Sequence, residues 1–468
     1  MSLPASRTVP LIVAAALFME NLDSTVISTS LPAMAADLGL SPVRLNLAIT
    51  TYLVTMAVFI PASGWLADRL GARRVFCGAI ATFLLGSIAC GAAPDLTVLV
   101  AGRALQGLGG AMMVPVGRLI LLRAVPKAEM ITAMAWFTMP ALIGPVIGPP
   151  LGGFITTAAS WRWIFWVNVP IGLVGIALAL RLLPPIAEED PPPFDLRGFV
   201  TSAAGLSALV FAFETVGRNV VPVSATIAAA LAGGLLVTLY LIHARRADHP
   251  LIDLTLLRLP TFRIAVVGGT LFRIGVGALP FLLPLQLQIG FGRSALESGL
   301  TTFVSAAGAL AMKMTAGRIL RRFGFRRTLA INAVAAGLTM SAVGLIGVAT
   351  PVALLMGLLL FGGFLRSLEF TAINVIAFAD VPQARMSRAT SLSSMLQQLS
   401  FSVGVAFGAT LLHLLRPDDG LPVASDFSVA LIAAGLVSIF AAPVFFGLSA
   451  NAGAMLLGEP HERDGETG

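Results

Sequence analysis

Six ionisable side chains stand deep inside long apolar runs of this sequence: Glu20, Asp23, Arg103, Arg273, Arg366 and Glu369. In hydrocarbon each costs several kcal/mol unless it is paired, and such groups mark proton, ion or substrate pathways. Glu20 and Asp23 are three residues apart, so on a helix they share a face. Two carboxylates so placed repel when both are ionised, which suits them to taking up and releasing a proton. An arginine beside Asp23 would compete with that proton, and a movement that withdrew it would load the site. Arg103 is the residue expected to act in this way. Glu20 would either share the titration or attract a cationic group. Arg366 and Glu369, again three apart, either neutralise each other within one helix or face a cavity. Lys313, near the inner end of its run, is expected to snorkel to the interface.

The composition identifies the medium these groups sit in. Hydrophobic residues make up 57% of the 468, charged residues 11%, and the mean hydropathy is +0.91, whereas soluble domains carry roughly 25% charged residues. Most of the chain must therefore face lipid or other apolar helices. The 47 glycines and 29 prolines fit closely packed, kinked membrane helices. With about 20 residues needed per span, the apolar segments divide into six between residues 9 and 183, two between 197 and 242 and six between 262 and 450. Backbone groups in lipid must be satisfied internally, and no barrel-like alternation appears, so the fold class is an all-α integral membrane protein. Glu20 falls about eleven residues into its helix, or roughly 16 Å at 1.5 Å per residue, near the midplane of the bilayer.

The charges orient these spans. With a cytoplasmic N-terminus the inner loops and tails hold 21 Lys and Arg and the outer loops five, a strong bias under the positive-inside rule. Both termini are then cytoplasmic. The same distribution argues against a nucleic-acid partner despite the net charge of +7, because the arginines fall in short clusters between apolar runs. Cys77 and Cys90 share one apolar segment and make neither a disulfide framework nor a metal site. The four histidines lie near membrane edges or in the tail. No nucleophile triad, metal motif or phosphate loop accompanies them, so an enzyme is not expected. The run "PPIAEEDPPP" (184–193) reads as an extended linker, giving an N-terminal bundle (1–187), a linker with two extra helices (188–250) and a C-terminal bundle with a short tail (251–468).

One inner loop occurs twice. "GWLADRLGARR" from Gly64 and "GRILRRFGFRR" from Gly317 align Gly71 with Gly324 and Arg73-Arg74 with Arg326-Arg327, although Arg321 stands at the position of Asp68. The duplication argues for two related six-helix halves with a site at their interface. The first copy resembles the signature loop of the major facilitator superfamily, and "RALQGLGGA" (103–111) and "GPVIGPPLGG" (144–153) are similar to its fourth- and fifth-helix motifs. "LDSTVISTSLP", "WRWIFWVNVPIG", "FDLRG", "PLIDLTLLR" and "QQLSFSVGVAFG" resemble the fourteen-helix drug–proton antiporter branch (QacA/EmrB type), nearest its MdtD/HsrA-like group.

The resemblance implies two pseudo-symmetric six-helix bundles plus two extra transmembrane helices. It also implies a monomer in the bacterial inner membrane that exports small amphiphilic compounds against protons by alternating access, with no cofactor beyond the proton gradient. Gly64, Asp68, Arg69, Gly71, Arg73 and Arg74 would form its conformational latch. Gly144, Pro145, Gly148, Pro149, Gly152 and Gly153 would form its antiporter helix. Small residues every four positions also pack helices closely. Candidate substrate-cavity residues are Asn21, Gln106, Met112, Arg273, Phe281, Gln286, Arg366 and Glu369. Buried charges of both signs leave the sign of the substrate open. A specific metabolite exporter fits the same fold. A non-transporting receptor would be expected to carry a large soluble domain.

Overall fold

A computed structural model describes residues 5–42, 44–124, 143–144, 147–184, 193–215, 222–247, 250–313, 315–382, 385–415 and 422–453. Its first half contains α1 (Ala5–Leu38), α2 (Asn46–Leu70), α3 (Ala72–Gly91), α4 (Leu96–Ala124), α5 (147–158) and α6 (Trp163–Leu182). The extra pair is α7 (Leu196–Thr215) and α8 (Val223–Ala244). The second half contains α9 (Pro260–Leu285), α10 (Ala295–Lys313), α11 (Ala316–Gly344), α12 (Val352–Ile376), α13 (Met386–Leu415) and α14 (Ala424–Ile439). Twelve of these are long and apolar enough to cross a membrane. The partly described α5 and the segment of α11 beyond Gly324 complete the fourteen expected.

Prolines shape the long helices without ending them. Pro10 and Pro32 lie within α1, Pro115 within α4, and Pro280 and Pro284 within α9. Each removes an intrahelical hydrogen bond. Beyond the second pair, α9 runs on as a π-helical turn, Gln286–Gly290, the register change expected where the ladder has lost donors.

The two repeated segments read from sequence as inner loops are mostly helix. α2 runs to Leu70 and α3 starts at Ala72, with only Gly71 between them. In the second half, Gly324 is the non-helical residue inside α11. Gly71 has φ 90° and Gly324 φ 71°, a region L side chains rarely adopt. The two aligned glycines therefore make the same one-residue corner, so the repeat in the letters is a repeat in the backbone.

The halves pack in corresponding ways. α2 lies on α4 as α10 lies on α12, α3 on α6 as α11 on α14, and α1 on α6 as α9 on α14. They meet along α1 against α9 and α2 against α13. The α5–α10 contact is close: Gly153 abuts the Ala295 backbone and Gly299 abuts Pro149. At the end of the bundle away from the Gly71 and Gly324 corners one buried apolar cluster joins the halves, with Leu22, Val26 and Leu31 of α1 beside Phe281 and Leu285 of α9 and Leu412 of α13. Toward the end that holds the two corners each half has its own cluster, apart from Ala57 of α2, which packs with the second half.

The pair α7–α8 packs outside this core, against α2 and α13. Phe59 of α2 packs at a tilt against Phe199, and Trp65 against Phe194, with ring centroids 5.4 and 4.7 Å apart. Asp195 of "FDLRG" accepts hydrogen bonds from the Gly198 and Leu251 backbones, and its Oδ1 lies 2.7 Å from His243 Nε2 at the end of α8. Burial alone would raise its carboxyl, but these hydrogen bonds outweigh burial and hold it below the usual carboxylate range.

Candidate functional site

The first half encloses a fully buried polar network around Asp23. Arg103 Nη1 donates to Asp23 Oδ2 at 2.5 Å, and the two side chains are each 1% exposed. Gln106 Nε2 donates to Asp23 Oδ1 at 2.9 Å, and Asn168 Nδ2 donates to the same oxygen at 3.0 Å. Gln106 Oε1 accepts from Arg103 at 2.7 Å, and Ser87 Oγ accepts from both Gln106 and Asn168. Arg103 Nε donates to the Ala48 carbonyl at 3.1 Å, and its guanidinium lies 4.2 Å from the centre of the Tyr52 ring. The carboxylate thus accepts three hydrogen bonds from two helices, one of them from its counter-ion.

Five helices build this network. Asp23 comes from α1, Tyr52 and Ala48 from α2, Ser87 from α3, Arg103 and Gln106 from α4, and Asn168 from α6. Gly86 lets α3 and α4 touch, since a Cβ there would sit 2.6 Å from the Gln106 nitrogen and the Gly102 oxygen. Asn168 is placed by the rest of its own motif. Trp161 Nε1 donates to Asp37 Oδ2 at 3.1 Å, Arg162 pairs with Asp37, and Arg162 Nη2 donates to the Ala93 carbonyl. These contacts pin the start of α6 to α1 and to the turn after α3.

Sequence reasoning brought Asp23 and Arg103 together and included Gln106, but it did not single out Ser87, Asn168, Tyr52 or the Ala48 carbonyl. "WRWIFWVNVPIG" offered a signal, because a lone asparagine in an apolar run must find a partner. Glu20 lies close enough to feel the charge of Asp23 but is not hydrogen-bonded into the network. It is 8% exposed, and its Oε2 has no hydrogen-bond partner, as is also true of the Tyr52 hydroxyl.

A second polar group lies in the other half. Asn332 of α11 donates to Glu369 Oε2 at 2.7 Å and to the Leu365 carbonyl. Arg273 of α9 donates to Asn374 at 3.3 Å, 6.0 Å from the Phe370 ring centre. Arg366 instead donates to Ser305 of α10 at 2.6 Å. Arg366 and Glu369 therefore do not neutralise each other, because α12 turns one toward α10 and the other toward α11.

Between the halves lies a cavity of about 380 Å³, walled by α1, α5, α9, α10 and α12. Of the predicted cavity residues Arg366 lines it. Phe281 is in the outer apolar cluster, and Met112 packs against the cluster of the first half. Asn21 donates to the Leu17 carbonyl, Gln106 belongs to the Asp23 network, and Arg273, Gln286 and Glu369 are buried. Lys313, the last residue of α10, also lines the cavity and donates to Thr371 Oγ1 at 3.0 Å.

The fifth-helix motif faces two ways. Gly144, Gly148 and Gly152 lie against Asn21, Thr25 and Thr29 of α1, while Pro149 and Gly153 meet α10. Pro145 lies outside the described residues. At the Gly71 corner Asp68 is 3.1 Å from Arg123 at the end of α4, and Arg73 donates to the Leu183 carbonyl at 3.1 Å. Gly64 has open space around it, Gly71 makes the turn, and Arg69 and Arg74 are exposed beside it.

Two halves of six helices, meeting through α1–α9, α2–α13 and α5–α10 around a central cavity, define a class that sequence comparison also reports. The sequence model of the Major Facilitator Superfamily matches residues 13–405 and 265–453. The chain belongs to that superfamily. It is 42% identical over 409 residues, 86% of each chain, to the "Putative multidrug resistance protein MdtD" of Salmonella typhimurium (strain LT2) and to that of Salmonella heidelberg (strain SL476). Among solved structures it resembles a POT family transporter in complex with 5-aminolevulinic acid (TM-score 0.69, 15% identity, 93% of this chain and 94% of that one). It also resembles a D-xylose-proton symporter (TM-score 0.65, 14% identity, 94% and 99%). At these identities the two structures speak for the fold.

Proposed function

We propose that this protein is a proton-coupled antiporter that exports small amphiphilic compounds by alternating access, with Asp23 as the proton carrier and Arg103 as its switch. The observation that carries this reading is the Asp23–Arg103 pair, buried between α1 and α4 of a major facilitator fold. A proton and a guanidinium cannot both satisfy one carboxylate fully, so occupancy by one displaces the other. With Arg103 in place, as here, the site is closed to protons. A rearrangement of α1 against α4 that opens the pair would expose Asp23 for protonation. The name borne by the MdtD relatives supports a drug-like cargo.

In this reading residues 1–187 and 251–468 are the two moving bundles, and 188–250 carries the extra pair. The protein works as a monomer in the bacterial inner membrane with both termini cytoplasmic. It is not an enzyme, takes no cofactor and binds no nucleic acid. The Asp68–Arg123 pair and the Gly71 corner act as the inner latch, and the Gly144–Gly153 stretch as the seam against α1. The test is proton flux in proteoliposomes acidified on one side, on addition of candidate compounds. Wild type should move protons with compound. Asp23→Asn should bind compound but lose pH-driven transport by about 100-fold or more, the scale of a deleted essential proton carrier. Transport by Asp23→Asn that still scales with ΔpH would overturn the assignment.

A further inference from the structure

The cavity between the halves is asymmetric in charge. Among its described lining residues the ionisable groups are Arg366 and Lys313, and there is no Asp or Glu. The buried carboxylates that could have offset them lie outside its described lining. Asp23 is bound to Arg103, Gln106 and Asn168 inside the first half, and Glu369 faces Asn332 of α11. Glu20, on the α1 turn before Thr25, is not among the lining residues. What α1 contributes to the cavity is hydroxyls, Thr25, Ser28 and Thr29. Those of Thr25 and Thr29 donate to carbonyls of their own helix, leaving dipoles and no negative charge.

Arg366 is held for use. Gly363 lies against the Ser305 backbone and Gly308 against that of Leu360, so α10 and α12 approach closely enough for Ser305 Oγ to accept from Arg366 Nη2. That occupies one of the five guanidinium N–H donors, and the residue is only 8% exposed. A buried guanidinium without a counter-anion is strongly disfavoured, and the missing partner is one that a ligand can supply. Lys313, an exposed residue of the same lining, adds a second positive charge to the cavity, where such a field raises the local concentration of anions. The remaining wall includes Leu279, Leu283 and Phe370, and about 380 Å³ lies within the range of pockets for small organic ligands.

We infer that the cargo of this cavity is an amphiphilic organic anion, its carboxylate, sulfonate or phosphate bound by Arg366 and its apolar body set against α9 and Phe370. This rests on reading the chain as an exporter, and it adds the sign of the substrate.

The test is binding of two probes with one ring and opposite charge, naphthalene-1-sulfonate and 1-naphthylmethylammonium, to the full-length protein in nanodiscs by equilibrium dialysis. Wild type should bind the sulfonate at least about tenfold more tightly than the ammonium. Arg366→Gln should weaken the sulfonate by roughly tenfold or more, as loss of a buried charge partner does, and Arg366→Lys should retain part of the affinity. Should Arg366→Gln fail to fold, Lys313→Gln at its exposed position serves instead, and unchanged sulfonate affinity there counts against the inference. Equal or tighter binding of the ammonium, no binding of the sulfonate, or indifference to Arg366→Gln overturns it. The two readings fail separately. Arg366-dependent sulfonate binding with no proton flux for any compound removes antiport and leaves the anion site. Proton-coupled movement of the ammonium, unaffected by Arg366→Gln, does the reverse.

Discussion

At the scale of single residues, the Asp23 network is a closed electrostatic unit, and removing one member should cost more than the bond it makes. Arg103→Ala leaves a buried carboxylate facing Gln106 and Asn168 alone. The expected loss is about 3–5 kcal/mol of stability, the scale for one partner of a buried ion pair. Adding Asp23→Asn should recover a large part of it, because the orphaned charge is gone. Thermal unfolding of the two single variants and the double variant in detergent measures this, and additive losses would show that the pair is not coupled. The sequence made Asp23 and Arg103 visible because charge in an apolar run is conspicuous. It hid Ser87 and Asn168 because neutral polar residues occur throughout such runs, and only the packing of α3 against α4 and of α6 against α1 and α3 selects these two.

Elements carry the next set of constraints. Gly148 lies directly against Thr25 of α1, so Gly148→Val must push α5 outward. Overpacking of this kind costs about 1–3 kcal/mol, and transport should fall with it, while the same change at Gly64, which has open space around it, should leave stability unchanged. Parallel unfolding and flux measurements on both variants decide this. The segment between α8 and α9 is tied to the start of α13 by Asp253, which accepts from Arg385 Nη2 at 2.8 Å and from Thr255 Oγ1 at 2.6 Å.

Burial would raise the Asp253 carboxyl, but the Thr255 and Arg385 bonds hold it below the usual range. A lowered folded pKa means that the stabilisation is complete above the unfolded value of about 3.9 and is lost as pH falls through the folded one. Asp253→Asn should therefore loosen this tie at pH 7 by about 1 kcal/mol, since Arg385 is partly solvated, and should make no difference well below pH 4. Proteolysis of the segment across that range reads it out. Helix number, the repeat and the Gly71 corner were legible as runs and letters. The near-absence of loop at that corner was not, because a single left-handed glycine can replace a connection the sequence suggests is longer.

For the molecule as a whole, the apolar cluster shared by the halves closes the end of the bundle away from the Gly71 and Gly324 corners, and each half keeps its own cluster at the corner end. The sequence could place charges of both signs at mid-membrane but could not sort them. Sorting depends on which way each helix is rotated, and the structure turns Asp23 and Glu369 into their own halves and leaves Arg366 and Lys313 on the shared wall. That segregation has an electrical consequence. If the cavity carries a monovalent anion outward while one proton enters, two positive charges cross inward per cycle, and the membrane potential contributes about 4.6 kcal/mol per 100 mV. A monovalent cation exchanged for one proton would move no net charge, and the potential would then be idle. Imposing a potassium diffusion potential with valinomycin, at equal pH on both sides, should therefore drive export by itself. The arrangement would make the protein a current source as well as a pump, able to work where the pH difference has collapsed and only voltage remains.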